Sequence, residues 1–424
     1  MKKTVLFFIA IAQISFIFAQ SSAAPIETSP KFKPYGNVRF VAFYNSRQME
    51  DLIDGLALVY PKQARFDAFG KDLNSNSTAS FSASATRLGL DLLPFRLGEL
   101  NMNLSGKIEA DFLGSANFAF LRLRHAFVNM NFGKSDILAG MSWHPLYENS
   151  YPLVADLNAG MPYLPFARNP QLRYSYSTNG LKLYGVAIAQ TQFSSLGPEG
   201  RTPAYQRNAK LPELVAGAEY EIDAFIVSAA IGHKQLRPRI TAETENGTIS
   251  VNEKIGSTLV SGFIQYKHNL LTLKTKTTYG EDLNHLNMLG GYAVTSENER
   301  GERSYKPFNT IASWISADYI FGKNSPFAIN IFGGYSKNLG VGHSVLGAAS
   351  DPLVYGRVMH DEKMISEIWH GSANLMYSLK NWRLSLEYGY NKAFYGDFDI
   401  SNGKALNTTG IDGSRVLAAL MLMF

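Results

Sequence analysis

The sequence predicts an all-β protein: a 16-stranded antiparallel transmembrane β-barrel with short periplasmic turns, long extracellular loops and an inward-folded third loop. Three features predict it. Beyond residue 35 apolar side chains recur with period two, the mark of strands with two unlike faces. The alternating segments hold about 10–14 residues, whereas soluble strands usually hold five or six and a tilted membrane strand needs about nine to eleven. Connections between them alternate short and long, as they do in outer-membrane barrels.

Composition narrows the field first. Of 424 residues 46% are hydrophobic and 18% charged, which excludes a long disordered chain. Only one run is apolar enough to suggest a lipid-crossing helix, and it lies at the N-terminus, which excludes a helical membrane bundle. That run, residues 1–19, opens with Lys2 and Lys3, continues through an apolar core from Val5 to Phe18, and ends on Ala19, with Ala23 as a second cleavage position. This is the secretory signal pattern, too short to span about 30 Å of hydrocarbon. It implies export across a bacterial inner membrane. Residues 20–34 read as a short periplasmic segment and 35–424 as the barrel domain. Absence of cysteine excludes a disulfide framework, a thiolate metal site and a cysteine nucleophile. A net charge of +5 is too small to point to nucleic acid.

Walking the chain gives strands near 35–46, 79–92, 99–113, 118–131, 135–143, 170–178, 180–191, 213–222, 224–235, 256–267, 269–280, 308–321, 326–337, 364–378, 380–392 and 412–424. The third is the clearest. Met102, Leu104, Ile108 and Phe112 take one face, and Asn103, Lys107, Glu109 and Asp111 the other. The eleventh sets Leu271, Leu273 and Tyr279 against Lys274 and Lys276; the fifteenth sets Trp382, Leu384, Leu386 and Tyr388 against Arg383 and Glu387. Short turns fall near 94–98, 132–134, 178–180, 223, 268–269, 322–325 and 379–381. The connection near 114–117 is the one short member of the long-loop side. The final strand has an apolar face of Val416, Ala418, Leu420, Leu422 and Phe424, ending on an aromatic as outer-membrane barrel strands do. A lipid-exposed sheet must close, because a free edge would leave backbone groups unpaired in hydrocarbon.

A barrel of this many strands is too wide for its side chains to fill, so water must thread it. The polar faces then line a pore. The pore-lining residues expected are Arg39, Arg87, Asp91, Lys107, Glu109, Asp111, Arg122, Arg124, Lys274, Lys276, Arg383 and Glu387, with Arg415 a further basic wall residue. A hairpin centred near residues 115–116 sets Glu109 opposite Arg122 and Lys107 opposite Arg124. Basic residues outnumber acids, which predicts a mild anion preference.

The narrowest point is expected from residues 144–169, HPLYENSYPLVADLNAGMPYLPFARN, with four Pro and three Tyr. So apolar a loop packs on a surface, here the inner wall, rather than waving in solvent. Its charged side chains Glu148, Asp156 and Arg168 are the expected constriction residues.

Several stretches carry a family likeness: LRLRHAFVN (121–129), ILAGMSWHPL (137–146), PFARNPQLRYSY (165–176), FYNSRQ (43–48) and LVYPK (58–62). Together with the strand pattern they resemble the trimeric bacterial outer-membrane porin superfamily, in particular DcaP-like porins and their Bacteroidota relatives. The specific motifs lie in 35–176, and the C-terminal half matches by pattern. The resemblance implies a homotrimer whose third loop narrows each pore, and passage of small hydrophilic solutes, with anionic ones such as dicarboxylates favoured. Unlike members with an N-terminal coiled-coil extension, the 20–34 segment has no heptads.

No motif argues for catalysis or a cofactor. The eight histidines show no HExxH or other metal spacing, and Gly133-Lys134-Ser135 lacks the upstream glycine of a phosphate loop, since residue 128 is Val. The reading is therefore a passive diffusion channel in the bacterial outer membrane with no cofactor, no metal and no catalytic residue. Its expected partners are outer-membrane lipid and lipopolysaccharide, its own copies, and small solutes. Its competitors are a structural or adhesive barrel with a loop-blocked lumen and a barrel hydrolase.

Overall fold

A computed structural model describes residues 30–424 except 54, 98–99, 115–119 and 149. The expected signal segment and most of 20–34 lie outside the described residues. One sheet of 18 hydrogen-bonded segments dominates. Two are short pieces, Thr78–Ser82 and Met359–His360, which extend neighbouring strands and leave 16 barrel strands. In chain order these are β1 (Phe32–Asn45), β2 (Arg87–Leu97), β3 (Met102–Asp111), β4 (Arg122–Asn131), β5 (Ser135–Trp143), β6 (Arg168–Thr178), β7 (Leu181–Ile188) and β8 (Glu213–Ile222). They continue with β9 (Phe225–Leu236), β10 (Ile255–His268), β11 (Leu271–Glu281), β12 (Asn309–Ile320), β13 (Phe327–Gly340), β14 (Lys363–Leu379), β15 (Trp382–Asp399) and β16 (Lys404–Met423).

Each strand pairs antiparallel with the next, and β16 returns to β1 from Asn37↔Met423 to Asn45↔Arg415. Two further backbone bonds join Gly36 and Phe424 across this seam, at 3.0 and 3.1 Å. No edge is left to hydrocarbon. Tight turns sit at one end: Asn179 and Gly180 both have positive φ (47° and 79°), the pair a two-residue hairpin turn of right-handed twist demands.

Burial follows the pleat. On β15, Trp382, Leu384, Leu386 and Tyr388 are exposed, while Glu387 and Asn391 are buried. Ile315, Ile331, Ile108 and Val416 are likewise exposed on the outer face. Such a surface would be a liability in water and is at home in lipid. Aromatic pairs flank it, Phe225–Tyr266 and Phe327–Tyr377 by the short turns (centroids 4.9 and 4.8 Å) and Tyr335–Trp369 farther up (4.4 Å). They mark the two interfaces.

The strands differ from expectation in three places. The second is interrupted: Thr78–Ser82 pairs with the upper half of β1 and Arg87–Leu97 with the lower half. At the break the Arg39 backbone N–H donates instead to the Thr86 hydroxyl at 3.2 Å. The last two strands meet in a tall hairpin that turns at 400–403, where a long loop between 392 and 412 was expected. The Gly-, Asn- and Thr-rich stretch blurs the alternation there. Finally, the β3–β4 register puts Lys107 opposite Phe127 and Asp111 opposite Arg122, not Glu109 opposite Arg122. The hairpin turns about one residue later than expected, which moves the partners by two already at Asp111, and an extra residue on β4 at Arg124 moves them by one more below it.

Candidate functional site

The long loop between β5 and β6, residues 144–167 (here L3), folds into the barrel. Its base is closed by the His144 N–H donating to the Ala167 carbonyl at 2.9 Å. Proline and tyrosine dictate where it goes. Tyr163 and Leu164 are fully buried with Trp314, Phe332 and Ile368, all on the inner faces of β12–β14. Tyr163 lies flat on β13, where a Cβ on Gly334 would meet the ring at 2.4 Å. Glycine is the residue that lets the loop approach the wall there.

Polar side chains from the wall finish the attachment. The Ala155 and Asp156 N–H groups donate to the Glu387 carboxylate at 2.5 and 3.3 Å. Asn374 donates to the Leu153 carbonyl (2.9 Å), and Lys274 to that of Tyr151 (3.2 Å). Lys276 donates to the Ser150 hydroxyl at 2.6 Å and to the Leu146 carbonyl. Arg39 caps the Ala155 carbonyl. The backbone groups of a buried loop need such partners, because an unpaired one is costly away from water.

What L3 leaves open is a chamber of about 660 Å³. Its lining includes eight arginines, Arg39, Arg87, Arg122, Arg124, Arg168, Arg201, Arg357 and Arg383, and two acids, Asp111 and Asp156. Both acids are engaged. Asp111 accepts from Arg122 at 2.7 Å and Arg124 at 2.8 Å. Asp156 accepts from Arg415 at 2.6 Å. Among the described residues Arg39, Arg87, Arg168, Arg201, Arg357 and Arg383 have no carboxylate within ion-pair distance. Arg168 Nε and Nη1 and Arg383 Nε are buried without any hydrogen-bond partner there. The guanidinium of Arg168 stacks on Trp143 at 4.5 Å, with Phe193 and Phe166 at 5.5 and 5.9 Å. That contact is a cation–π cradle that orients the charge without neutralising it.

Arg122 and Arg124, two residues apart on β4, share its inner face and reach one acid, Asp111. Arg124 is the extra residue between Leu123 and His125 in the pairing with β3, and a bulge re-aims such a side chain. Arg124 bonds Glu109 at 2.6 Å as well as Asp111, and Tyr35 donates to Glu109 at 3.0 Å.

The expected residues thus fall into groups. Arg39, Arg87, Asp111, Arg122, Arg124, Arg383, Asp156 and Arg168 meet at the chamber. Lys274, Lys276 and Glu387 face inward but hold L3. Asp91 and Lys107 pair with each other at 3.2 Å on the wall outside that lining. Glu148 lies in a small crevice beside L3, paired with Arg173. Arg168 is the first residue of β6 rather than part of the loop.

Three contributors were not singled out from sequence. Arg201 and Arg357 reach the chamber from the loops 189–212 and 341–362. Burial pushes the Arg201 guanidinium down to about 10, with Arg357 adding repulsion. The third is the loop 46–77 (here L1). Its two-stranded piece, Met49–Asp51 with Leu58–Pro61, also enters the barrel, and Leu56, Leu58, Val59 and Tyr60 are buried. The apolar run LALVY (56–60) is the signal that could have found it.

No protein-family model matches the sequence, and no curated protein matches it. Solved structures do. The outer-membrane channel DcaP of Acinetobacter baumannii is similar over 93% of this chain and 97% of its own, with TM-score 0.65 and 18% identity. OmpT of Vibrio cholerae in its trimer form matches over 94% and 100%, at 0.53 and 11%. OmpF of Salmonella typhi matches over 93% and 98%, at 0.53 and 13%. The chain therefore has the fold of the outer-membrane channel barrels, as its closed sheet and lipid-facing belt also require.

Proposed function

We propose that the protein is a passive diffusion channel of the bacterial outer membrane, a porin, that admits small hydrophilic solutes and prefers anions. One observation carries the reading: eight arginines line a chamber whose two acids are already paired. Unneutralised guanidinium groups in a confined, partly low-dielectric lumen raise the local concentration of anions and repel cations. Solutes enter between the outer loops, pass L3 and leave at the short-turn side, driven by their gradient alone, without cofactor or turnover. The 35–424 barrel follows a removed signal segment, contacts outer-membrane lipid and lipopolysaccharide through its belt, and assembles as a homotrimer, the form named for the Vibrio OmpT structure.

The test is the reversal potential of the reconstituted protein in a potassium chloride gradient. Anion preference is expected, and Arg122→Glu should move the ratio toward cations. Cation preference in the parent protein refutes the charge argument. Folded protein that carries no current favours a barrel blocked by its loops.

A further inference from the structure

L3 is not alone in the lumen. We propose that L1 supplies a second wall of the narrow section through Leu52 and Ile53, and that Arg415 positions this wall by clamping L1 to L3. The proposal rests on the channel reading above and deepens it.

Leu52 and Ile53 line the same chamber as the L3 residues from Tyr151 to Leu157. The L1 backbone reaches that position through one side chain of the last strand. Arg415 on β16 donates to Asp156 of L3 at 2.6 Å, to the Gly55 carbonyl of L1 at 2.6 Å, and to Asn45 at the end of β1 at 2.8 Å. Its guanidinium is buried and lies over Phe43 at 4.5 Å. Phe43 in turn fills the space beside Gly55, where a Cβ would meet the ring at 2.4 Å and φ is +78°. A planar, five-donor group is suited to join three acceptors that point different ways; lysine could not reproduce it.

A second set of contacts repeats the union. Asn158 of L3 donates to the Leu58 carbonyl of L1 at 2.9 Å, and Val59 and Tyr60 pack with Tyr147, Tyr163 and Leu164 of L3. Tyr395 on β15 donates to the Pro61 carbonyl at 2.5 Å. L1 is therefore a built part of the lumen, held on one flank by L3 and on the other by the wall. Arg415 is a positioning residue: it sets where Leu52 and Ile53 stand, and they meet the solute.

The chain has no cysteine, so a single introduced thiol reports cleanly. Ile53→Cys is reconstituted and treated with a bulky charged methanethiosulfonate while single-channel current is recorded, with Asn246→Cys on an outer loop as control. The adduct at position 53 should cut conductance roughly twofold or more, since it enters the narrow section, and the adduct at 246 should leave it unchanged. Adding Arg415→Gln to Ile53→Cys should raise the unmodified conductance and weaken the block by the adduct. Asn158→Ala, which leaves Arg415 in place, should act in the same direction and serves where Arg415→Gln does not insert. A mass-verified adduct at position 53 that leaves conductance at the parent value overturns the second wall. Unchanged conductance and block in both Arg415→Gln and Asn158→Ala overturn the clamp. A folded parent protein without current removes the channel reading and this one with it, which separates the two failures.

Discussion

The inner wall carries positive charge in two places, and the two have opposite fates. On β11, Lys274 and Lys276 face inward and are spent on L3, one on the Tyr151 carbonyl and one on Ser150 and Leu146. Around β2, β6 and β15, Arg87, Arg168 and Arg383 face inward and meet no protein carboxylate among the described residues. Burial does not separate the groups, since Lys276 is 4% exposed and Arg168 1%. Partners do. A compact ammonium caps loop carbonyls, whereas a planar guanidinium can lie on aromatic rings and keep donors free. Counting inward charges therefore says less about selection than asking which of them the loops have already taken.

The sharpest way to break this contrast is to reverse the free arginines. Arg87→Glu combined with Arg383→Glu should lower the anion-to-cation permeability ratio by about tenfold, given the Coulomb energy of a unit charge a few ångströms away in a water-filled pore. Reversal potentials read this directly. A ratio within twofold of the parent would mean that these side chains do not govern passage.

Changing the lysine side should move stability instead. Lys276→Met removes the charged donor shared by the Leu146 carbonyl and the Ser150 hydroxyl, which keep their mutual bond at 3.0 Å, at about 1.5–3 kcal/mol for a hydrogen bond from a charged group. Thermal unfolding in detergent should shift downward and open-channel noise should rise, with permeability ratio nearly unchanged. A large change in selectivity with unchanged thermal stability would merge the two classes.

A third test uses acid. Beside the base of L3, Glu213 accepts from His144 and His285 at 3.3 and 3.2 Å, and Lys234 bonds His285 at 2.7 Å and Asp282 at 2.9 Å. His285 belongs to the turn Leu283–Leu286, beyond the membrane strand. Burial first, and then the Lys234 charge, hold its imidazole below the ordinary value, with Glu213 and Asp282 opposing. The unfolded chain thus binds a proton there that the folded one resists. This contribution is complete above about pH 6.5 and is lost as pH falls below it. Midpoints of thermal unfolding measured at pH 7.5 and 5.5 should differ, and the gap should narrow in His285→Asn. An equal gap in both proteins would assign the acid sensitivity elsewhere.

Much of this was legible in the sequence because a lipid-facing sheet forces strict alternation, and alternation survives in one dimension. The sixteen strands and the short-turn end follow from it, and the inward course of L3 follows from that loop's apolar, Pro- and Tyr-rich composition. The register of β3 on β4 did not, because neither the exact centre of the turn nor a bulge changes the hydrophobic pattern. Nor did L1: LALVY reads as well for a strand in the wall as for a piece packed inside it. The division of charges was hidden for a different reason. Lys276 and Arg383 look alike on their strands, and only the path of L3, which crosses one and leaves the other open, tells them apart.

The smallest expected effect comes from a pair that looks functional by position. Lys107 and Asp91 face inward, 3.2 Å apart, and both side chains are about one-third exposed (32% and 31%). Lys107 also sits 4.5 Å from the Tyr35 ring. A half-solvated pair of this kind contributes about 0–1 kcal/mol, and its charges cancel for a passing ion. It lies outside the chamber lining. Lys107→Gln should therefore leave thermal stability nearly unchanged and shift the reversal potential far less than Arg87→Gln, although both remove one positive charge from adjacent strands. If the two variants shift it equally, the pore selects along its whole length rather than at the arginine chamber.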